Sequence, residues 1–155
     1  MPTLSLIETD VAAPAARDLI ATLDAELLLR YPNELPNGID ADAFRAADGC
    51  MVLAWIDDVA VGCAAFRPVA PDTIEIKRVF VRAGQRGRGV SKQLLAWLEQ
   101  RALQRGFVRA VLETGVLQPE AIALYRSAGY VPIACFAPYT DNPSSVCFGK
   151  NLAPA

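Results

Sequence analysis

One short segment combines the residue types that hold phosphate groups in proteins. It reads Arg86, Gly87, Arg88, Gly89, Val90 and Ser91. The segment lies between an apolar run at residues 74–81, which reads as a strand, and a pattern typical of an amphipathic helix. Glycines leave backbone N–H groups uncovered, a helix N-terminus favours an anion, and guanidinium groups pair with phosphate oxygens. The segment therefore predicts a phosphate site, and the alternative is an ordinary tight turn before a helix.

Two widespread phosphate-binding loops do not match these residues. Gly84 and Gly89 have the separation of the two glycines in a P-loop, but Val90 and Ser91 stand where lysine and serine or threonine are required. A dinucleotide-binding loop needs a third glycine after the first strand of its domain, and this chain has Lys92 there, in mid-sequence. Neither loop is predicted.

The segment instead resembles motif A of the GNAT superfamily, the N-acetyltransferases that use acetyl-coenzyme A (acetyl-CoA). The family pattern is Arg/Gln-x-x-Gly-x-Gly/Ala after a strand, and the chain departs from it only at Ser91. Residues 118–130, QPEAIALYRSAGY, resemble a second family segment, Asn-x-x-Ala-x-x-Leu-Tyr-x-x-x-Gly-Phe/Tyr, with Gln118 in place of the asparagine. Both motifs occur in the family's order, and the resemblance to a small bacterial-type acetyltransferase covers residues 50–150.

The resemblance implies a fold and a co-substrate. The fold is α+β: one domain over residues 1–155 with a central mixed, mostly antiparallel sheet flanked by about four helices. The co-substrate is acetyl-CoA, with its pyrophosphate on the segment 86–91. Its pantetheine arm would lie against the strand residues Val79, Phe80 and Val81 and against Gln118.

The same resemblance implies two catalytic residues. Glu75 lies on the strand that leads into the phosphate turn, where family members often have a general base; a glutamate desolvated between a sheet and a substrate can accept a proton near neutral pH. Tyr125 matches the family's tyrosine that faces the sulfur and protonates or hydrogen-bonds the departing thiolate. The alternatives are a strand glutamate paired with Lys77 or Arg78, and a core tyrosine on an amphipathic helix.

Loop residues are the candidates for binding the acceptor. Tyr31, Asn33 and Glu34 lie in the first loop between helices, and Tyr139 lies in the loop before the last strand. The resemblance implies transfer of an acetyl group from acetyl-CoA to a primary amine of a small molecule or peptide, by direct attack on the thioester. The alternatives are a protein N-terminal or lysine acetyltransferase and a catalytically silent domain that binds an acyl-CoA as a sensor.

Composition narrows the class of protein. The chain has 155 residues, 53% of them apolar, with a mean hydropathy of +0.25, which is enough for one packed domain. A net charge of −2 argues against a nucleic-acid binder, and no apolar run approaches the ~20 residues of a membrane span. Histidine is absent, which excludes His-dependent triads, and no metal site is predicted.

The four cysteines, Cys50, Cys63, Cys135 and Cys147, are widely spaced and contain no C-x-x-C pair. No secretory leader precedes them. We therefore expect four reduced, mostly buried thiols in a cytoplasmic protein. A homodimer is compatible with the sequence.

One strand has an irregular pattern. Residues 73–78 alternate between polar and apolar, but 79–81 are continuously apolar, so the alternation loses its phase near Arg78. Either a β-bulge or a strand buried on both faces would produce this pattern. In the GNAT fold, a bulge in this strand opens the slot for the pantetheine arm.

The other elements follow from periodicity, caps and turns. Strands are predicted at residues 4–8, 50–56, 59–67, 108–114, 130–136 and 145–151. Helices are predicted at 14–30 and 41–47, from Val90 to a cap at Gly106, and from Pro119 to Gly129. Val90, Leu94, Leu98 and Ala102 form the predicted apolar face of the third helix.

Overall fold

The structure of the protein, a computed structural model, describes residues 3–33 and 40–152. Within them, the strands are β1 (Leu4–Thr9), β2 (Cys50–Ile56), β3 (Val59–Ala70), β4 (Thr73–Val81), β5 (Arg109–Gly115), β6 (Val131–Ile133) and β7 (Ser145–Asn151). The helices are α1 (Pro14–Arg30), α2 (Ala41–Ala46), α3 (Val90–Gln104) and α4 (Pro119–Ser127). None of these helices is both long enough and apolar enough to cross a membrane.

The seven strands form one sheet in the order β1-β2-β3-β4-β5-β7-β6. Neighbouring strands are antiparallel except β4 and β5, which run parallel and are connected through α3. The predicted α+β fold, with a mixed and mostly antiparallel sheet flanked by helices, is confirmed. The pairing of β4 with β5 extends only from Thr73↔Arg109 to Ile76↔Leu112, so the two strands separate beyond Ile76.

Both faces of the sheet are buried, and this explains why several strands are apolar without alternation. On β2, Val52 and Ala54 belong to the core cluster that contains α3 and α4, whereas Met51 and Leu53 belong to the cluster that contains α1 and α2. The predicted apolar face of α3 is confirmed, because all four of its residues are buried: Val90, Leu94, Leu98 and Ala102.

The irregular pattern in β4 is a β-bulge. Ala65 pairs with Lys77 and Cys63 pairs with Phe80, so the single residue between them on β3 faces Arg78 and Val79 on β4. Arg78 has a φ of +58°, an unusual conformation for a residue with a side chain. The bulge shifts the alternation by one residue, which directs Phe80 toward α1 and Val81 toward α3.

The strand expected at residues 130–136 is much shorter than predicted. Only Val131–Ile133 pairs with β7, and the chain then leaves the sheet as a loop up to β7. The expectation followed the apolar composition of the segment, but this loop instead carries Tyr139 to the buried Glu75, whose Oε2 accepts a hydrogen bond from the Tyr139 hydroxyl at 3.0 Å.

The expectation of four reduced thiols is wrong for two cysteines. Cys135 and Cys147 form a disulfide with a Cα–Cα distance of 5.1 Å, because the pairing of Ile133 with Cys147 brings Cys135 beside β7. Cys50 and Cys63 are free and buried, and burial raises their thiol pKa values to about 11 and about 12. These two thiols are therefore poor nucleophiles at neutral pH.

Candidate active site

Two cavities meet where β4 and β5 separate. The larger, of about 260 Å³, lies between α1, the end of β4, the start of α3 and the length of α4. The smaller, of about 120 Å³, lies beside it among polar side chains of β4 and β5. Five residues line both cavities: Leu23, Leu27, Val79, Gln118 and Tyr125. A molecule bound in one cavity would therefore be next to a molecule bound in the other.

The predicted phosphate turn borders the larger cavity and presents bare backbone. Gly87 and Gly89 have φ values of +81° and +77°, which explains why glycine stands at both positions. A Cβ at either glycine would meet nothing within 4 Å, so this side of the turn is open. Gly89 precedes α3 and no side chain caps the helix, so the N–H groups of its first turn can bind an anion.

The two arginines of the turn have different environments. Arg86 Nε donates to the carbonyl oxygen of Val81 at 2.8 Å, Nη2 donates to Glu26 at 2.9 Å, and the guanidinium lies 5.6 Å from the centre of the Phe80 ring. These contacts fasten the turn to α1 and β4. Arg88 is exposed, and its one hydrogen bond among the described residues goes to Gln85 at 3.2 Å, so its charge can reach a ligand.

The remaining residues predicted to bind the co-substrate divide into two groups. Val79, Phe80 and Val81, at the end of β4, line the larger cavity, as do Ser91 and Gln118. Val90 is buried in the core and can offer only its backbone to a ligand.

Glu75 lies in the smaller cavity with both carboxylate oxygens bonded. Its Oε1 accepts from Arg67 Nε and Nη2, each at 3.0 Å, and Arg67 faces it directly across β3 and β4. Its Oε2 accepts from the Tyr139 hydroxyl, and only 2% of the residue is exposed. The alternative partners considered from the sequence, Lys77 and Arg78, do not bond this carboxylate.

Tyr139 and Lys77 complete the network around Glu75. Burial, and then the charge of Glu75, raises the pKa of Tyr139, so its phenol is neutral at physiological pH. Lys77 Nζ lies 3.5 Å from the Tyr139 hydroxyl, and burial lowers the pKa of this lysine. Tyr139 was predicted to line the acceptor site, and it lines the smaller cavity.

Tyr125 stands at the junction of the two cavities. It is 7% exposed, with its ring 6.0 Å from that of Tyr130 and 6.4 Å from that of Phe148. Burial, and then the charge of Glu113, raises its pKa. The raised pKa keeps the phenol neutral. No group in residues 3–33 and 40–152 hydrogen-bonds its hydroxyl, so the hydroxyl is available as a donor to a ligand.

Gln118 and Tyr31 hold the loop between β5 and α4. Gln118 Oε1 accepts from the Gly115 N–H at 3.1 Å and does not cap α4. The Tyr31 hydroxyl accepts from the Leu117 N–H at 2.9 Å, which joins the end of α1 to the same loop.

The predicted acceptor residues at the end of α1 are not brought to the cavities. Tyr31 makes the loop contact just described, and Asn33 is exposed. Neither residue lines either cavity. Glu34 lies outside the described residues.

The sequence does not mark several residues in or beside the smaller cavity as site residues. Arg67 reaches Glu75 through the register of β3 against β4, and Arg78 enters the cavity through the bulge. Glu113, whose carboxylate accepts from the Ser145 hydroxyl at 2.6 Å, and Thr114 come from β5. Within the described part of the chain, no three His, Cys, Asp or Glu side chains are grouped as a metal site would require.

The chain is similar to acetyltransferases in sequence and in structure. The profile of the acetyltransferase (GNAT) family matches residues 15–130. The IAA acetyltransferase of Azospirillum brasilense is 33% identical over 98% of this chain and 100% of its own length. A candidate acyl-CoA N-acyltransferase from Klebsiella pneumoniae superposes with a TM-score of 0.83 and 32% identity over 97% of this chain and 99% of that one.

A more distant structure shares the fold alone. It is a GNAT family acetyltransferase from Elizabethkingia anophelis with acetyl-CoA bound, with a TM-score of 0.70 and 20% identity over 96% of this chain and 97% of that one. Since the family profile covers most of the chain and one relative matches along its whole length, the protein belongs to the acetyltransferase (GNAT) family and is an acyltransferase.

Proposed function

We propose that the protein transfers an acetyl group from acetyl-CoA to a primary amine of a small molecule or peptide by direct attack on the thioester. The observation that carries this proposal is the meeting of the two cavities at Tyr125. The larger cavity takes acetyl-CoA, the smaller takes the amine, and the thioester lies at their junction.

The phosphate turn holds the pyrophosphate of acetyl-CoA. Its open glycines and the uncapped start of α3 offer several N–H donors to one anion. Arg88 adds an exposed positive charge, while Arg86 keeps the turn in place through Glu26. The site therefore recognises phosphate mainly through backbone N–H groups.

The free edge of β4 holds the pantetheine arm. After Ile76, β4 pairs with β3 on one side and no longer pairs with β5 on the other. Backbone groups on such an edge can bond an extended amide chain as a further strand would. Val79, Phe80 and Val81 place this edge in the wall of the larger cavity.

Glu75 is the proposed general base of the reaction, acting directly or through water. Its ion pair with Arg67 fixes the position of the carboxylate in the smaller cavity. The attacking nitrogen becomes more acidic as it bonds to the carbonyl carbon, so a base of moderate strength suffices. The Tyr139 hydroxyl, bonded to Glu75, is a second group of the same network that faces the smaller cavity.

Tyr125 is the proposed donor to the leaving sulfur. A simple thiol has a pKa of roughly 8.5, so a thiolate can leave with the help of a hydrogen bond alone. The Tyr125 phenol is neutral and lines both cavities. A donor in a buried site stabilises developing charge more strongly than it would in water.

The test is an acceptor screen with acetyl-CoA in which release of the CoA thiol is measured. The panel contains small primary amines, amino acids, a peptide with a free N-terminus and an N-blocked peptide with one lysine. Turnover of small amines supports the proposal. Turnover confined to the peptides would favour a protein acetyltransferase, and calorimetric binding of acetyl-CoA with no turnover would favour a sensor.

A further inference from the structure

The guanidinium of Arg78 is buried with one face unpaired. Its side chain is 6% exposed, and Nη1 donates to Asp24 Oδ1 of α1 at 2.9 Å. Among the described residues, Nε and Nη2 are buried without any hydrogen-bond partner. They are the only such atoms found there. Buried, charged donors without partners are unfavourable. A ligand that accepted hydrogen bonds from both Nε and Nη2 would therefore gain binding free energy.

The unpaired atoms have the geometry of a carboxylate site. Nε and Nη2 form the side-on face of a guanidinium, whose two parallel N–H groups match the two oxygens of a carboxylate. The protein uses this same pair of atoms twice elsewhere. Arg67 holds Glu75 with Nε and Nη2, and Arg45 holds Asp10 with Nε at 2.8 Å and Nη2 at 2.7 Å.

Arg78 lines the smaller cavity but not the larger one, so a ligand that paired with its buried Nε and Nη2 would lie on the acceptor side. Lys77 lies in the same wall and adds a second basic group. Glu113 and Glu75 bring negative charge to the cavity. A small molecule with one anionic and one cationic end would find a partner for each in this space of about 120 Å³.

We propose that the acceptor is an aminocarboxylate, such as a free amino acid, whose carboxylate binds side-on to Nε and Nη2 of Arg78. Its amino group then points toward the junction with the larger cavity. This inference rests on the proposed function, because it names the substrate class of the same site. Arg78 is a specificity residue in this arrangement and takes no part in proton transfer.

The wild-type enzyme provides the first test. The amino acid that is acetylated best is compared with its primary amide and with its decarboxylated amine, which share its side chain. We expect kcat/KM for the acid to exceed that for either analogue by about 10-fold or more, as for a charge-assisted bidentate contact. Equal values for acid and amide would overturn the proposal.

Variants then locate the contact. Arg78→Lys keeps the charge but loses the side-on pair of donors, and it should reduce the preference for acid over amide to about 2-fold or less. Arg82→Lys is the matched control. Arg82 follows the same strand and pairs with Asp18 of the same helix at 2.7 Å, but it lines neither cavity. An unchanged preference in Arg78→Lys would overturn the assignment to Arg78.

Binding without turnover separates this proposal from the proposed function. Calorimetry with wild-type protein and CoA compares the amino acid with its amide. Tighter binding of the acid supports the carboxylate site even if no acceptor is acetylated, an outcome that would contradict only the proposed transfer reaction. Indistinguishable binding of acid and amide overturns the carboxylate site, and this comparison needs no variant to fold.

Discussion

Hydrogen bonds decide which side chains of the two cavities can accept or donate a proton. Glu75 receives two bonds from a guanidinium and one from a phenol, so it is held as an acceptor. Tyr125 is neutral, with a hydroxyl that bonds nothing else in the described residues, so it is held as a donor. Glu75 lines the smaller cavity and Tyr125 lines both cavities. Two substitutions test their roles.

The first substitution is Glu75→Gln. Glutamine has nearly the same shape but cannot accept the proton, so kcat should fall by about 10² or more at neutral pH. The affinity for acetyl-CoA should hardly change, because Glu75 does not line the larger cavity. Steady-state kinetics across pH and calorimetry measure the two quantities. An unaltered kcat and pH profile would assign Glu75 to structure alone.

Glu99→Gln is the matched control for that experiment. Glu99 also accepts from a tyrosine hydroxyl and a basic side chain, Tyr130 at 2.9 Å and Lys150 at 2.8 Å, but it lines neither cavity. Both variants lose an ion pair, so both should lower the melting temperature. Only Glu75→Gln should lower kcat.

The second substitution is Tyr125→Phe, which keeps the ring and removes the hydroxyl. If the hydroxyl bonds the departing thiolate, kcat should fall by about 10-fold or more while KM and the melting temperature stay close to wild type. Tyr130→Phe removes a structural bond to Glu99 and should do the reverse, lowering the free energy of unfolding by about 1.5 kcal/mol with normal turnover. A wild-type kcat in Tyr125→Phe would identify Tyr125 as packing.

At the scale of elements, the sequence predicts those parts whose signals are local. Helix α1 begins at Pro14 and ends at Arg30 as expected, because proline suits a first turn and Pro32 follows. Gly106 and Gly129, with φ values of +90° and +93°, end α3 and α4 as predicted. From the sequence alone, a β-bulge in β4 cannot be distinguished from a strand that is buried on both faces, because both produce a run of continuous apolar residues.

Elements defined by distant contacts were predicted less well. The short β6 depends on its pairing with β7 and on a loop that reaches across to Glu75, and neither leaves a local pattern. Likewise, nothing in the sequence around Tyr31 shows that its hydroxyl bonds the Leu117 N–H. The direction of a loop side chain depends on what packs against it.

The turn before α3 is an element whose function can be tested. Gly89→Glu puts a carboxylate into the open space beside the proposed pyrophosphate, and it should weaken binding of acetyl-CoA by about 10-fold or more through charge repulsion. Gly106→Glu is the matched control, because it has a similar positive φ, nothing within 4 Å and a place at the far end of the same helix. Both should strain the backbone equally. Calorimetry showing equal affinities for the two variants would refute the phosphate site.

At the scale of the whole molecule, the sheet brings together residues that are far apart in the sequence. The sequence, through a family resemblance, predicted Glu75, Tyr125, Gln118 and the turn, and the structure gathers all of these around the two cavities. It did not predict Arg67 as the partner of Glu75, because that pair exists only through the register of β3 against β4. The disulfide was missed for a similar reason, since Cys135 and Cys147 meet through the pairing of β6 with β7.

The disulfide closes the loop that carries Tyr139, and this gives a prediction for the molecule as a whole. The two cysteines are 12 residues apart in sequence, and a closed loop of about 15 residues stabilises a protein by about 3 kcal/mol in the chain-entropy account. Replacing both cysteines, as Cys135→Ser with Cys147→Ser, should lower the free energy of unfolding by about this amount. It should also lower kcat, because Tyr139 would be held less firmly against Glu75.

Thiol titration checks the disulfide directly. The native protein should show no fast-reacting thiol near neutral pH, because burial raises the pKa values of Cys50 and Cys63 to about 11 and about 12. Denaturation without reductant should reveal the two free thiols of Cys50 and Cys63, and reduction should reveal the thiols of Cys135 and Cys147 as well. Reductant should lower the melting temperature of the wild type but leave that of the double variant unchanged. If all four thiols of the wild type titrate on denaturation alone, the loop is not crosslinked, and Tyr139 must be held against Glu75 by packing and by its hydrogen bond only.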